Sequence, residues 1–321
     1  MTALSQLRDH SIVVADTGDI EQIKRFQPQD ATTNPSLILA AIESGKYDAL
    51  VTDALTWAQN NSHFLNEDTF SLASDRLIVL LGKEISSVVP GVVSTEVNAK
   101  LSFDTEKTVA KALFLIEQYA SIGISKDKVL IKIAATWEGI QAARILEQQG
   151  IKCNLTLIFN FHQALACAQA GAFLISPFVG RILDWYKNNT GQTYSHPCDD
   201  PGVQSVRDIY THFKEHGYPT IVMGASFRNT GEILYLSGCD RLTIGPSLLA
   251  ELDAMDNLDD FFPAITTAHQ RQAYPEATVT ETSLRWALNE DPMATEKLAD
   301  GIRVFAKAQD KLEQLLMNWS K

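Results

Sequence analysis

The sequence predicts an α/β fold: one domain spanning 1–321, a (β/α)8 TIM barrel with additional N-terminal and C-terminal helices. Three observations lead there. Short apolar runs rich in β-branched residues alternate with helix-like segments, several at the roughly twenty-to-thirty-residue spacing of a β-α unit. No run is followed by G-x-G-x-x-G or G-x-x-x-x-G-K-[ST], which argues against an open sheet wound around a nucleotide. Polar residues gather at the C-terminal ends of the predicted strands, where a parallel barrel keeps its chemistry.

The strands are expected at 12–15, 30–33, 91–97, 129–134, 153–159, 173–178, 220–224 and 241–244. Helical periodicity covers 106–122 and 137–149, the second stopped by Gly150. Connections 35–90 and 179–219 are too long for a single unit and must hold extra helices or loops. Residues 256–280 are polar and turn-rich. The last helix carries Leu298, Ile302, Phe305, Leu312 and Leu316 at helical spacing, a stripe expected to pack across the outside of the barrel.

Hydrophobic residues form 45% of the chain and charged residues 21%, enough apolar material for a full core. The balance of 27 basic and 39 acidic residues gives a net charge of −12 and no electrostatic footprint for nucleic acid or an anionic membrane. Any anionic ligand must be held by a few local arginines. Arg8, Asp9 and His10 precede a short apolar patch, so neither a signal peptide nor an anchor is expected. Cys153, Cys167, Cys198 and Cys239 lack C-x-x-C spacing, which suits reduced thiols and a cytoplasmic protein. His212 and His216 share a helical face without an adjacent third ligand and read as a solvated face, so no metal is expected.

Lys132 is the chemical anomaly. It sits inside Val129-Leu130-Ile131-Lys132-Ile133-Ala134-Ala135, a run that reads as a strand buried on both faces. Desolvation disfavours an ammonium there. A fall in pKa from ~10.4 to about 7 would cost roughly 4 kcal/mol at neutral pH, against ~5–15 kcal/mol of total stability. A residue this costly is expected for its amine, and a neutral amine in a cavity is a nucleophile for carbonyls.

Strand ends surround it with polar groups. They are Asp16 and Thr17; Thr32, Thr33 and Asn34; Ser94 and Glu96; Asn154 and Thr156; Ser176 and Phe178; and Ser226 with Arg228. Strand alternation puts Asn154 with Thr156, and Ser94 with Glu96, on one face each. Asp16 and Glu96 can move protons beside an imine-forming lysine. Arg181 and Arg228, with Ser226, suit a phosphate. Plainer roles exist for several of these residues. Asp16 could cap a helix, Glu96 could pair with Lys100, Asn34-Pro35 could only start a turn, and Arg181 could brace Asp184.

The stretches Asp30-Ala31-Thr32-Thr33-Asn34-Pro35-Ser36-Leu37-Ile38 and Ile131-Lys132-Ile133-Ala134-Ala135-Thr136 resemble the two signatures of the transaldolase family. Val14-Ala15-Asp16-Thr17-Gly18-Asp19, Asn154-Leu155-Thr156, Ser176-Pro177-Phe178-Val179-Gly180-Arg181 and Gly224-Ala225-Ser226-Phe227-Arg228 match in order. The resemblance is weakest after Ala250. It implies a cofactor-independent enzyme that transfers a dihydroxyacetone unit between sugar phosphates, as a homodimer. Lys132 would form the Schiff base and Asp16 would be the acid/base. Glu96 would act through a water held by Thr156. Asn34, Asn154 and Ser176 would hold hydroxyls, with Thr33 and Ser94 as further substrate-binding candidates and Phe178 as a wall. Arg181, Ser226 and Arg228 would hold phosphate. The alternatives are a Schiff-base fructose-6-phosphate aldolase that releases dihydroxyacetone, and a non-catalytic sugar-phosphate binder.

Overall fold

Eight parallel strands close into a barrel in simple chain order, each hydrogen-bonded to its sequence neighbours and the last to the first. They are β1 (Ile12–Asp16), β2 (Asp30–Thr32), β3 (Val93–Glu96), β4 (Val129–Ala134), β5 (Cys153–Ile158), β6 (Leu174–Pro177), β7 (Ile221–Gly224) and β8 (Arg241–Ile244). The computed structural model describes residues 2–65, 68–256, 265 and 277–319, so most of the turn-rich segment expected at 256–280 lies outside the described residues. All eight expected strands are present, each displaced at its ends by no more than a residue or two.

Helix α1 (Ala3–Leu7) precedes the barrel and α2 (Ile20–Phe26) follows β1. The long connection after β2 carries α3 (Pro35–Glu43), α4 (Asp48–Leu65) and α5 (Thr69–Ser86). Then come α6 (Thr105–Ser121), α7 (Trp137–Gln148) and α8 (Phe161–Gln169), each after its strand. The second long connection holds α9 (Gly180–Thr190) and α10 (Pro201–Glu215), with a short 3-10 turn, Pro197–Asp199, between them. Helices α11 (Thr230–Tyr235), α12 (Pro246–Ala254), α13 (Glu281–Asn289) and α14 (Pro292–Trp319) complete the chain.

Helix starts at the barrel mouth follow from side-chain caps. Asp19, Asn34, Thr136, Asn160 and Asn229 each accept a backbone N–H in the first turn of the helix they open. Asn160 forms a full capping box with Gln163, which also donates to the carbonyls of Ala135 (2.9 Å) and Leu157 (3.2 Å). That buried amide ties the ends of β4 and β5 together.

The barrel interior is layered. Val14, Leu130, Leu174 and Met223, from β1, β4, β6 and β7, form an apolar plug. Two residues further along each strand, alternation delivers Asp16, Lys132, Ser176 and Ala225 to the layer above it. Odd-numbered neighbours face the helices instead: Ile131, Ile133 and Leu155 belong to the large outer core, and Thr95 bonds the Tyr119 hydroxyl at 2.6 Å.

Helix α14 corrects the expectation drawn from its stripe. Leu312 and Leu316 do pack on the outer core, but Leu298, Ile302 and Phe305 join Ala134, Leu157, Phe159, Phe178 and Ala225 at the strand ends. The first half of the helix therefore covers the barrel mouth. His212 also departs from its reading as solvated. It is 1% exposed, stacked 4.0 Å from His216 and edge-on to Phe161, because its side of α10 packs against α8.

At the opposite end, Asp30 pairs with Arg241 and accepts from Val92 N at 2.8 Å, joining β2, β3 and β8. Removing one partner of a buried pair leaves the other uncompensated. Asp30→Ala is expected to lower unfolding free energy by about 3–5 kcal/mol in urea titration. A loss under about 1 kcal/mol would place the pair with weak surface bridges.

Candidate active site

Strand register assembles the site. Lys132 of β4 is opposite Glu96 of β3 on one side and Asn154 of β5 on the other, while Asp16 of β1 is opposite Thr32 of β2. Lys132 is 4% exposed. Its Nζ donates to the Thr33 carbonyl at 3.2 Å and lies 3.2 Å from Glu96 Oε2, with the Phe305 ring centre at 5.8 Å. Burial thus meets two adjacent carboxylates, which the argument from an apolar strand alone leaves out.

Those carboxylates are themselves perturbed. Desolvation raises the pKa of Glu96, with the charge of Lys132 acting against it. Desolvation likewise raises Asp16, opposed by Lys132, by the hydrogen bond from Thr32 Oγ1 at 2.8 Å and by Arg181. Thr32 is in turn 2.6 Å from Thr243 Oγ1, so a hydroxyl pair supports the carboxylate. The helix-capping role open to Asp16 belongs to Asp19, which accepts from Glu21 N at 3.0 Å. Lys100, the surface partner open to Glu96, pairs with Asp310 of α14.

Two buried polar atoms in this layer have no hydrogen-bond partner: Glu96 Oε2, poorly aligned with the nearby amine, and Thr156 Oγ1. Each such atom costs ~1–3 kcal/mol if left dry. Thr156 lines a cavity of about 50 Å³ together with Asp16, Thr32, Asn34, Lys132, Ser176, Phe178, Arg181, Ser226 and Phe305. A water occupies ~30 Å³, so this space can hold one or two within reach of polar partners.

The remaining candidates divide into wall and support. Ser176 is in the wall and donates to Asn154 Oδ1 at 2.6 Å; Asn154 Nδ2 donates to Ser94 Oγ at 3.1 Å. Asn154 and Ser94 are thus the wall's fully buried support and not part of the lining. Thr33 also stays outside the lining, its hydroxyl bonded to the Ser94 carbonyl at 3.0 Å. Asn34 both lines the cavity and caps α3, accepting from Leu37 N at 3.1 Å, which leaves its amide nitrogen for a ligand.

At the outer end, Arg181 lies between the Phe178 and Phe305 rings, 5.0 and 5.6 Å from their centres. Desolvation and then Arg228 lower its pKa. Asp184 holds Arg228, not Arg181, through Nε at 3.0 Å and Nη2 at 2.7 Å. Arg228 stands at the rim, its side chain 40% exposed, with Nη1 3.5 Å from Ser226 Oγ. Gly180 is required here: a Cβ would fall 2.5 Å from Arg228 Cγ and 2.6 Å from the Ser226 carbonyl.

Sequence reasoning placed Thr32 among the strand-end groups without a role and missed Thr243 and Phe305 as site residues. Both threonines carried a signal, a hydroxyl inside a short strand at the inward-facing register. Phe305 carried none, because helical periodicity marks a buried face without naming what it covers. A larger groove of about 680 Å³ lies outside, lined by residues of α8, α10 and α13. It has carboxylates and aromatics but neither lysine nor arginine, and none of the Lys132 surroundings.

The model of the family described as transaldolase/fructose-6-phosphate aldolase matches residues 13–316. Transaldolases of Shewanella sp. (strain W3-18-1) and Shewanella putrefaciens are each 58% identical over 315 residues, covering 98% of this chain and 97% of theirs. The transaldolase of Shewanella pealeana is 58% identical over 313 residues with the same coverage. With a lysine, two carboxylates and two arginines at the mouth of a closed barrel, and these relatives matched along nearly the whole chain, the chain belongs to the transaldolase/fructose-6-phosphate aldolase family.

Proposed function

We propose that the protein is a transaldolase, moving a dihydroxyacetone unit from fructose 6-phosphate or sedoheptulose 7-phosphate to glyceraldehyde 3-phosphate or erythrose 4-phosphate. The observation that carries this reading is the buried Lys132–Glu96 pair, 3.2 Å apart, facing a cavity shared with Asp16. The same reading includes a homodimer in the cytoplasm, as the family resemblance implies.

Proton transfer from Lys132 to Glu96 replaces two buried charges by two neutral groups, which burial favours. The free amine adds to the ketose carbonyl, forming a carbon–nitrogen bond and a carbinolamine. Glu96, through a water at Thr156, returns a proton to the carbinolamine hydroxyl, which leaves as water and yields an iminium. Asp16 takes the proton of the hydroxyl on the far carbon of the bond to be broken. The carbon–carbon bond then cleaves, its electron pair moves into the iminium, and the aldose phosphate departs from an enamine. An incoming aldehyde reverses these steps, Asp16 returning its proton to the new alkoxide. Ser176 and Asn34 hold hydroxyls, while Arg181, Ser226 and Arg228 meet the phosphate.

The roof of Phe178, Leu157 and Phe305 favours transfer over release of free dihydroxyacetone, because it keeps water from the enamine until an acceptor arrives.

Borohydride with fructose 6-phosphate should trap a reduced adduct on Lys132 and none in Lys132→Met, as read by peptide mass mapping. A wild-type protein that binds the sugar phosphate without adduct would be a binder and not an enzyme. Asp16 must be ionised to act, and burial raises its pKa, so kcat/KM should fall as pH drops through a value above the usual carboxylate range. Asp16→Asn should lower kcat by about 10²–10⁴-fold and remove that limb; a limb at the ordinary carboxylate position would exclude desolvation as its cause. Phe305→Ala should raise dihydroxyacetone release relative to transfer by about tenfold or less. An unchanged ratio would remove the roof from the account.

A further inference from the structure

Behind the phosphate end lies a pair of carboxyl groups that the reaction above does not use. Asn229-Thr230-Gly231-Glu232 opens α11, with Asn229 Oδ1 accepting from Glu232 N at 3.0 Å. A capping-box carboxylate ordinarily returns to the N-cap amide. Glu232 reaches one residue further: its Oε2 accepts from Arg228 N at 2.7 Å and its Oε1 from Asn229 Nδ2 at 3.1 Å. Asp200, the cap of α10, accepts from Gly202 N at 2.8 Å and Val203 N at 3.3 Å, and its charge acts on Glu232. Both residues are buried.

This pair stands behind both loops that carry the phosphate groups. The start of α10 abuts the loop leading to Arg181: a Cβ on Gly202 would be 2.2 Å from the Val179 carbonyl. Val179 N and Gly180 N donate to the carbonyls of Ala225 and Ser226, each at 2.8 Å, joining that loop to the one ending in Arg228. Ser226 itself has a left-handed backbone, φ 61°, so the strap needs outside support.

We propose that Glu232 is a positioning residue for phosphate recognition, its carboxyl holding the Arg228 amide. This rests on the assignment of Arg228 to the substrate phosphate. Two neighbouring buried carboxyls do not both ionise readily. Consistent with that, burial first, then the charge of Asp200, raises Glu232 to about 7, while its bond from Arg228 N acts the other way. Burial raises Asp200 as well.

The charged groups acting on the pair are Arg228 and, on the Asp200 side, Lys187 of α9. The 3-10 turn and α12 also pack on α11. Their His196 and Glu251 meet Tyr235 (2.9 Å) and Thr230 (3.4 Å), and Asp199 meets Cys198 (3.4 Å). As pH rises through neutrality Glu232 loses its proton and the region behind Arg228 gains a negative charge. That charge opposes the substrate phosphate, so KM for phosphorylated substrates rises with pH.

The test compares glyceraldehyde 3-phosphate with unphosphorylated glyceraldehyde as acceptors, in wild type, Arg228→Ala, Glu232→Gln and Glu232→Leu. Glu232→Leu should raise KM for the phosphorylated acceptor about tenfold, with kcat for glyceraldehyde within about twofold. Glu232→Gln keeps an acceptor for Arg228 N. It should bind phosphate normally yet lose the rise in KM between about pH 6.5 and 8.5. Equal effects of Glu232→Leu on both acceptors, or a wild-type pH profile in Glu232→Gln, overturn the proposal. If Glu232→Leu does not fold, the Glu232→Gln profile decides. Equal effects of Arg228→Ala on both acceptors would instead overturn the phosphate assignment itself.

Discussion

The ion pair between Lys132 and Glu96 is the constraint around which the mouth of this barrel is arranged. Neither charge is tolerable alone at that depth, since an isolated buried ion would neutralise itself by shifting its pKa. Asp16 and Arg181 complete a set with two charges of each sign, and the cations oppose the desolvation of both carboxylates. Such a set makes proton movement inexpensive, because passing a proton from amine to carboxylate removes charge instead of creating it. The same balance suits an apolar plug below: a further polar group there would have no partner.

Low dielectric at the mouth depends on α14. Its stripe divides, the C-terminal half packing on the outer core and the N-terminal half lying on the strand ends. Phe305 thereby contributes to the surroundings of a lysine more than 170 residues earlier in the chain, at 5.8 Å from its amine. The helix is also held by Lys100–Asp310 and by the Trp185 Nε1–Glu296 bond at 2.7 Å, both at the periphery, where they do not disturb the apolar contact.

Much of this was legible in the sequence because strands encode position by parity. Once Lys132 is assigned to a strand, alternation places Leu130 below it, and parallel register makes Glu96 and Asn154 its neighbours. Asn34-Pro35 reads as a turn start for the same local reason, and the structure makes Asn34 the cap of α3. Three things were not. The face that α14 covers depends on a tertiary crossing with no sequence period. The partner of Asp184 depends on side-chain reach across two loops, which is why Arg228 and not Arg181 takes it. The support role of Ser94, Asn154 and Thr33 depends on how deep each inward residue sits, and parity reports direction without depth.

Backbone strain marks the same region independently of any side-chain argument. Among the described residues, Gln27, Leu157 and Ser226 are the non-glycine positions with positive φ, and Gln27 merely ends α2. Leu157 lies near the end of β5 and Ser226 just after β7, both at the mouth. A left-handed conformation costs roughly 1–2 kcal/mol at a residue with a Cβ, and glycine would relieve it. At Leu157 the register shifts between Thr156 and Ile158, so the strand no longer alternates and the leucine turns from the outer core to the roof beneath α14. At Ser226 the same conformation leaves the hydroxyl lining the cavity while its carbonyl accepts from Gly180 N. Glycine at either place would be easier to fold and would supply neither the hydrophobic cover nor the hydroxyl. The strain is therefore located where a side chain has to be presented against the grain of the strand, at the mouth of the barrel.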